Sequence, residues 1–168
     1  EKKVRKKHCN PSIPRGVTHF LSQKYNETGA SSVWVLPVQP EDTHKYGIVN
    51  LGPSVKSSLA NGERVMGVVE KPVTAQAPSL WALPGRYVFN PEIFNYLEHI
   101  SVGNNGEYQL SDAMNLLAQK SKLNAYSFQA RRYDAGDKLG YLIANIEVAL
   151  DRQELHDGLK SYLMNRFK

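Results

Sequence analysis

Only one cysteine, Cys9, occurs in the 168 residues. No disulfide can close within the chain, and a reducing cytoplasm is the simplest setting. Cys9 stands in a basic segment without a base partner, so no catalytic role is expected of it. None of the 12 glycines forms a Gly-x-Gly pair, which excludes a Rossmann fingerprint and a P-loop. The five histidines, His8, His19, His44, His99 and His156, lack metal-ligand spacing, so no zinc site is expected. No apolar run approaches the roughly 20 residues that cross a bilayer, and no membrane partner is expected. The basic start, Lys2 to Lys7, leads into polar residues and prolines rather than the apolar core of a secretory signal. Internal repeats and low-complexity segments are also lacking.

The chain contains 41% hydrophobic and 22% charged residues, ordinary proportions for a single globular domain with a sizeable core. The net charge of +5 is unevenly placed. Glu1 and the five basic residues among the first seven contribute +4 of it, leaving the body near +1. A near-neutral body argues against a nucleic-acid-binding face.

Hydrophobic period and turn residues alternate in an α/β manner. Val17, Phe20, Leu21 and Tyr25 fall at helical spacing, with Gly29 at the place of a C-terminal cap. Val33 to Val38 reads as one buried strand. Tyr46 to Leu51 and Val65 to Val69 read as two strands that pair antiparallel, separated by a turn-rich stretch with Gly52, Pro53 and Asn61-Gly62. Arg86 to Phe89 is a short strand, and Asn90-Pro91-Glu92 opens a helix with an amide cap, a proline and an acid. After a loop from Gly103 to Gly106, Leu110, Ala113, Met114 and Leu117 mark another helix. Asn124 to Ala130 alternates as a half-buried strand. Asp137 caps a helix striped by Leu139, Leu142, Ile143, Ile146, Ala149 and Leu150, and a last helix runs from about Gln153 to Phe167. The expected architecture is a mixed sheet covered by helices.

Two charged corners stand out. Val68-Val69-Glu70-Lys71-Pro72 ends an apolar run in an acid, a base and a strand-stopping proline, and Asp134-Ala135-Gly136-Asp137 compresses an acid, a glycine turn and a helix start. Together they point to a site for a sugar phosphate and a metal. These blocks, with Tyr46-Gly47-Ile48-Val49, Gly85-Arg86-Tyr87-Val88 and Glu107-Tyr108-Gln109-Leu110-Ser111-Asp112-Ala113, follow an order and spacing that resembles the C-terminal half of bacterial UTP:glucose-1-phosphate uridylyltransferases. The resemblance runs from about Tyr25 to near Lys168. Residues 1–24 match poorly, and 25–168 form the expected sugar-phosphate-binding part.

The resemblance implies a nucleotide-diphospho-sugar transferase-like fold and a reaction joining glucose 1-phosphate to UTP with Mg²⁺, giving UDP-glucose and pyrophosphate. In such a transfer the protein mainly positions and neutralises charge. By the resemblance, Lys71 is the catalytic cation that meets the sugar phosphate, Glu70 accepts hydrogen bonds from sugar hydroxyls, and Gly47 and Gly85 let backbone approach the sugar. Asp134 is implied as one carboxylate ligand of Mg²⁺. The residues taken alone leave alternatives open: an exposed Lys71 paired with Glu70, turn or bulge roles for the glycines, and an Asp134 that bonds the backbone around Gly136. Glu107, Gln109 and Asp112 organise a helix start, and Lys138 lies near phosphate or faces solvent.

The chain departs from the family pattern in lacking its glycine-rich nucleotide loop and the acidic pair that completes the metal site. Where that pattern often has cysteine, Ala135 stands here. The polypeptide alone is therefore expected to be inactive as a uridylyltransferase. Unpaired strand edges would favour a homo-oligomer or association with a missing N-terminal half. The alternatives are a non-catalytic homologue that binds a sugar nucleotide or a full-length partner and regulates it, and a relative acting on another base or hexose.

Overall fold

Helix α1 (Val17–Thr28) is the first element of the described residues and closes on Gly29, whose backbone N–H donates to Tyr25 O. The computed structural model describes residues 16–52, 59–103, 106–120 and 122–167. Cys9, the basic start, Pro53 and the two asparagines of the 103–106 loop lie outside the described residues. The chain divides into two compact units, one ending at Ala130 and one beginning at Arg131.

The first unit holds two four-stranded sheets. In the first, β4 (Glu63–Arg64), β8 (Leu123–Tyr126), β1 (Ser31–Trp34) and β7 (Tyr87–Val88) lie in that order. The β1–β8 pair is parallel and the other two pairs are antiparallel, so this sheet is mixed, as expected. The second sheet, β2 (Leu36–Pro37), β6 (Trp81–Leu83), β3 (Gly47–Asn50) and β5 (Gly67–Glu70), is antiparallel throughout. The β3–β5 pair is the hairpin read from the sequence.

Two apolar runs that read as single strands each divide between the sheets. Val33 to Val38 contributes β1 to the first sheet and β2 to the second, and in the 65–69 run Val65 N donates to Leu123 O of the first sheet before β5 begins at Gly67 in the second. Val35 and Val65 mark these crossings, and both are fully buried in one core cluster with Val33, Val49, Leu117 and Leu123. A run that changes sheets without leaving the core keeps its apolar character throughout, which hides the break from a pattern reading. The expected 124–130 strand is also shorter: β8 stops at Tyr126, and Phe128 turns to pack on Phe20 and Trp34.

Helices α2 (Glu92–Leu97) and α3 (Leu110–Gln119) cover this core. Asn90 Oδ1 accepts from Glu92 N at 3.0 Å, the expected cap, one residue ahead of the assigned boundary. On α3, Ala113, Met114, Leu117 and Ala118 are buried, whereas Leu110 is exposed.

The second unit is a pair of packed helices, α4 (Lys138–Asp151) and α5 (Gln153–Arg166). Asp137 caps α4 as expected, accepting from Leu139 N at 3.1 Å and Gly140 N at 2.7 Å. The anticipated apolar stripe is present in sequence, but Leu139, Leu142 and Ile143 are exposed. Two 14-residue helices are too little structure to bury both of their apolar faces in each other. No helix among the described residues is long and apolar enough to cross a membrane.

Candidate functional site

The register of the second sheet sets Gly47, on inner strand β3, directly opposite Glu70, the last residue of edge strand β5. With no side chain at Gly47, the Glu70 carboxylate lies across it. A Cβ there would come within 3.1 Å of Glu70 Oε2 and 3.4 Å of Leu83 Cδ1. Glu70 therefore owes its position to an absent side chain one strand away.

Beside this pair is a cavity of about 230 Å³. Lys45, Tyr46 and Gly47 line it at the start of β3, Glu70 from β5, Leu83 and Tyr87 from β6 and β7, Gln109 just ahead of α3, and Leu110, Ser111 and Met114 from α3. Burial, reinforced by the nearby Glu70 charge, pushes the Tyr87 phenol above its usual range, so it stays protonated at neutral pH. The hydrogen bond to Asp42, at 2.6 Å, and the Asp42 charge hold the Lys45 ammonium above the usual lysine range.

Lys71 follows β5 immediately and is not in the cavity wall. It is the one non-glycine residue at positive φ, 45°, among the described residues. A left-handed backbone costs an L-residue about 1–2 kcal/mol, so the surroundings must hold it. Lys71 N donates to Tyr46 O at 3.0 Å. One residue on, the fully buried Thr43 hydroxyl is shared between Pro40 O at 2.9 Å and Pro72 O at 3.3 Å. Thr74 Oγ1 adds a bond to Pro40 O at 2.9 Å. The corner is thus fastened to the 40–46 segment on both sides. Among the described residues Lys71 Nζ has no ion pair or hydrogen bond, and no Lys71–Glu70 pair forms.

Asn115 of α3 holds the other side of β5. Its Oδ1 accepts from Val68 N at 2.6 Å and its Nδ2 donates to Val68 O at 2.9 Å, so one amide satisfies both outward backbone groups of an edge strand. Sequence reasoning missed Asn115, although an amide flanked by Met114 and Leu117 on an apolar helix face was a visible signal. It also missed Lys45, Thr43 and Ser111.

Gly85 sits in a turn at φ 94°, a conformation that favours glycine. An added Cβ there would meet nothing within 4 Å, and Gly85 does not line the cavity. Asp134 belongs to the second unit. Its Oδ1 accepts from Gly136 N at 3.1 Å and its Oδ2 from Arg132 at 3.0 Å, the turn role left open by the sequence. Gly140 lies against the Asp134 carbonyl so closely that any Cβ would collide with backbone. Asp137 spends its carboxylate on the α4 cap. Among the described residues no cluster of three His, Cys, Asp or Glu side chains is placed to hold a metal, and Asp134 is a lone carboxylate already engaged by Arg132. These residues by themselves do not fit Mg²⁺, which takes several hard oxygen ligands.

The nucleotidyl transferase family model matches residues 13–149, and the chain belongs to that family. It is similar to the UTP–glucose-1-phosphate uridylyltransferases of Bacillus subtilis, 41% identical over 143 residues, and Staphylococcus epidermidis, 42% identical over 143 residues. Each alignment covers 85% of this chain and 48% of the relative. Among solved structures, a UDP-glucose pyrophosphorylase from Acinetobacter baumannii superposes with a TM-score of 0.72 at 32% identity, over 86% of this chain and 48% of that one. A UDP-glucose pyrophosphorylase complexed with UDP-glucose gives 0.69 at 31% identity, over 79% and 49%. The chain spans about half the length of the curated relatives it matches.

Proposed function

We propose that these residues form the sugar-phosphate side of a UTP:glucose-1-phosphate uridylyltransferase, the activity that joins glucose 1-phosphate to UTP and releases pyrophosphate. The observation that carries this reading is the Glu70 carboxylate laid across Gly47 at the cavity, followed at once by an ammonium with no partner among the described residues. A fixed carboxylate accepts hydrogen bonds from sugar hydroxyls, and a free ammonium neutralises a phosphate dianion. In this reading Glu70, Gly47 and, through its turn, Gly85 shape the sugar site within residues 25–168. Lys71 binds the phosphate whose oxygen attacks the α-phosphorus of UTP in line. The similarity to proteins named for this activity supports the choice of substrates.

Asp134, in the second unit, is proposed as one carboxylate toward Mg²⁺, which alone falls short of the several hard oxygen ligands the ion takes. The ion would supply charge neutralisation. The lone cysteine favours a cytoplasmic setting. Exposed Leu139, Leu142 and Ile143 favour association, so light scattering should give a mass above the monomer's, and a monomer at high concentration would count against this.

The 168-residue polypeptide contains no Gly-x-Gly phosphate loop, and its described residues hold no cluster of three metal-ligating side chains, so it should form no UDP-glucose from UTP and glucose 1-phosphate. Robust turnover by the purified chain would refute the half-site reading. Hexose proton signals of UDP-glucose should nonetheless broaden in ligand-observed NMR when the chain is added, and sharp, unchanged signals would remove the sugar site itself. The second reading, a non-catalytic regulator, gains if the chain co-purifies with a full-length enzyme and changes its rate.

A further inference from the structure

Ser111 is the polar group that neither the fold nor the site has used. It is the second residue of α3, 5% exposed, and lines the cavity beside Glu70 and Gly47. Its Oγ is buried and has no hydrogen-bond partner among the described residues. Two other helix hydroxyls bond back along their helix: Ser22 Oγ donates to Thr18 O and Thr28 Oγ1 to Lys24 O, each four residues back. At Ser111 that route is closed, because the residue four back, Glu107, precedes the helix. A buried hydroxyl without a partner is unfavourable unless another state of the protein supplies one.

The cavity can supply it. Serine has staggered χ1 positions, so one rotamer step swings Oγ without moving the backbone. The first turn of α3 also presents backbone N–H groups that have no acceptor within the helix. The same cavity is lined by an acceptor-only carboxylate, Glu70, and by the protonated Tyr87 phenol. The lining combines the Glu70 carboxylate, the Lys45 ammonium already paired with Asp42, and the Tyr87 and Ser111 hydroxyls, groups that meet the donors and acceptors of a polyhydroxyl ring.

We propose that Ser111 is a specificity-determining contact for the hexose, its hydroxyl pairing with one ring hydroxyl while Glu70 takes others. This rests on the sugar-site reading above. Ser111→Ala in the 168-residue chain is titrated by calorimetry with UDP-glucose and with UDP-sugars deoxygenated at one ring position each, and the ligand-free proteins are melted. The substitution should weaken UDP-glucose binding about 3–10-fold. It should have no effect on one deoxy sugar, the one lacking the partner hydroxyl. Without ligand its melting midpoint should stay level or rise, because an unsatisfied group has been removed.

Equal affinity of both proteins for every sugar would overturn this proposal and leave the sugar site standing. Uniform weakening together with a lower melting midpoint, or failure to fold, would make Ser111 structural and also overturn it. No binding of UDP-glucose by the unsubstituted chain would overturn the sugar-site reading itself, and this proposal with it.

Discussion

Replacing Asn115 with alanine removes the amide that closes the outer edge of β5, two residues before Glu70. The two bonds lost, at 2.6 and 2.9 Å, leave Val68 N and O without partners, and Val68 is 5% exposed. A buried backbone group stripped of its partner costs about 1–3 kcal/mol. Water reaches an edge strand once the amide is gone, so the two losses together should total about 2–4 kcal/mol rather than their full sum. For a chain of this size that lowers the melting midpoint by roughly 6–12 °C. Circular dichroism melts of the unsubstituted chain and Asn115→Ala read this directly. Asn115→Asp tests the geometry further, since it keeps an acceptor for Val68 N but sets an oxygen against Val68 O. It should fold with intermediate or lower stability than Asn115→Ala. A drop below about 2 °C for Asn115→Ala would refute the view that this amide holds the strand carrying Glu70.

Lys71→Gly should relieve the left-handed backbone, which costs about 1–2 kcal/mol, and give back about 0.5–1 kcal/mol through the freer unfolded chain. Urea denaturation should then show a net gain of about 0.5–1 kcal/mol while ligand binding is lost, and a loss of stability would contradict the strain. Gly62→Ala places a Cβ 2.5 Å from Tyr126 Cε1 at φ 86°, against a fully packed ring, and should cost more than about 3 kcal/mol in the same assay. Tyr87, held protonated above the usual value of 10.0 by burial and then by Glu70, stabilises the fold fully below that value. The unfolded chain releases this proton first, so the contribution is lost as pH rises through the raised folded value. Tyr87→Phe should melt with a shallower alkaline decline, and an identical decline would remove Tyr87 as its source.

The local corners of the chain were more legible than the contacts that hold them. The end of β5 at Glu70 and Lys71 was legible because a strand ending in acid, base and proline is a local pattern, and the β3–β5 pairing that sets Gly47 opposite Glu70 was visible as two apolar runs about a turn. The caps at Asn90 and Asp137 were legible for the same reason. What escaped depends on contacts remote in sequence. Asn115 meets Val68 across 47 positions and Thr43 meets Pro72 across 29, and neither pairing leaves a periodic trace. The runs that change sheets at Val35 and Val65 escaped because burial on both sides of a crossing preserves one unbroken apolar pattern.

The most direct test of the sugar-phosphate site is a calorimetric titration of the purified chain with UDP-glucose, with and without Mg²⁺, repeated with Lys71→Ala. Binding should be measurable and should weaken about tenfold or more when the ammonium is removed, as loss of a charge-assisted contact requires. Equal affinity in the two proteins, or no binding by the unsubstituted chain, would contradict it.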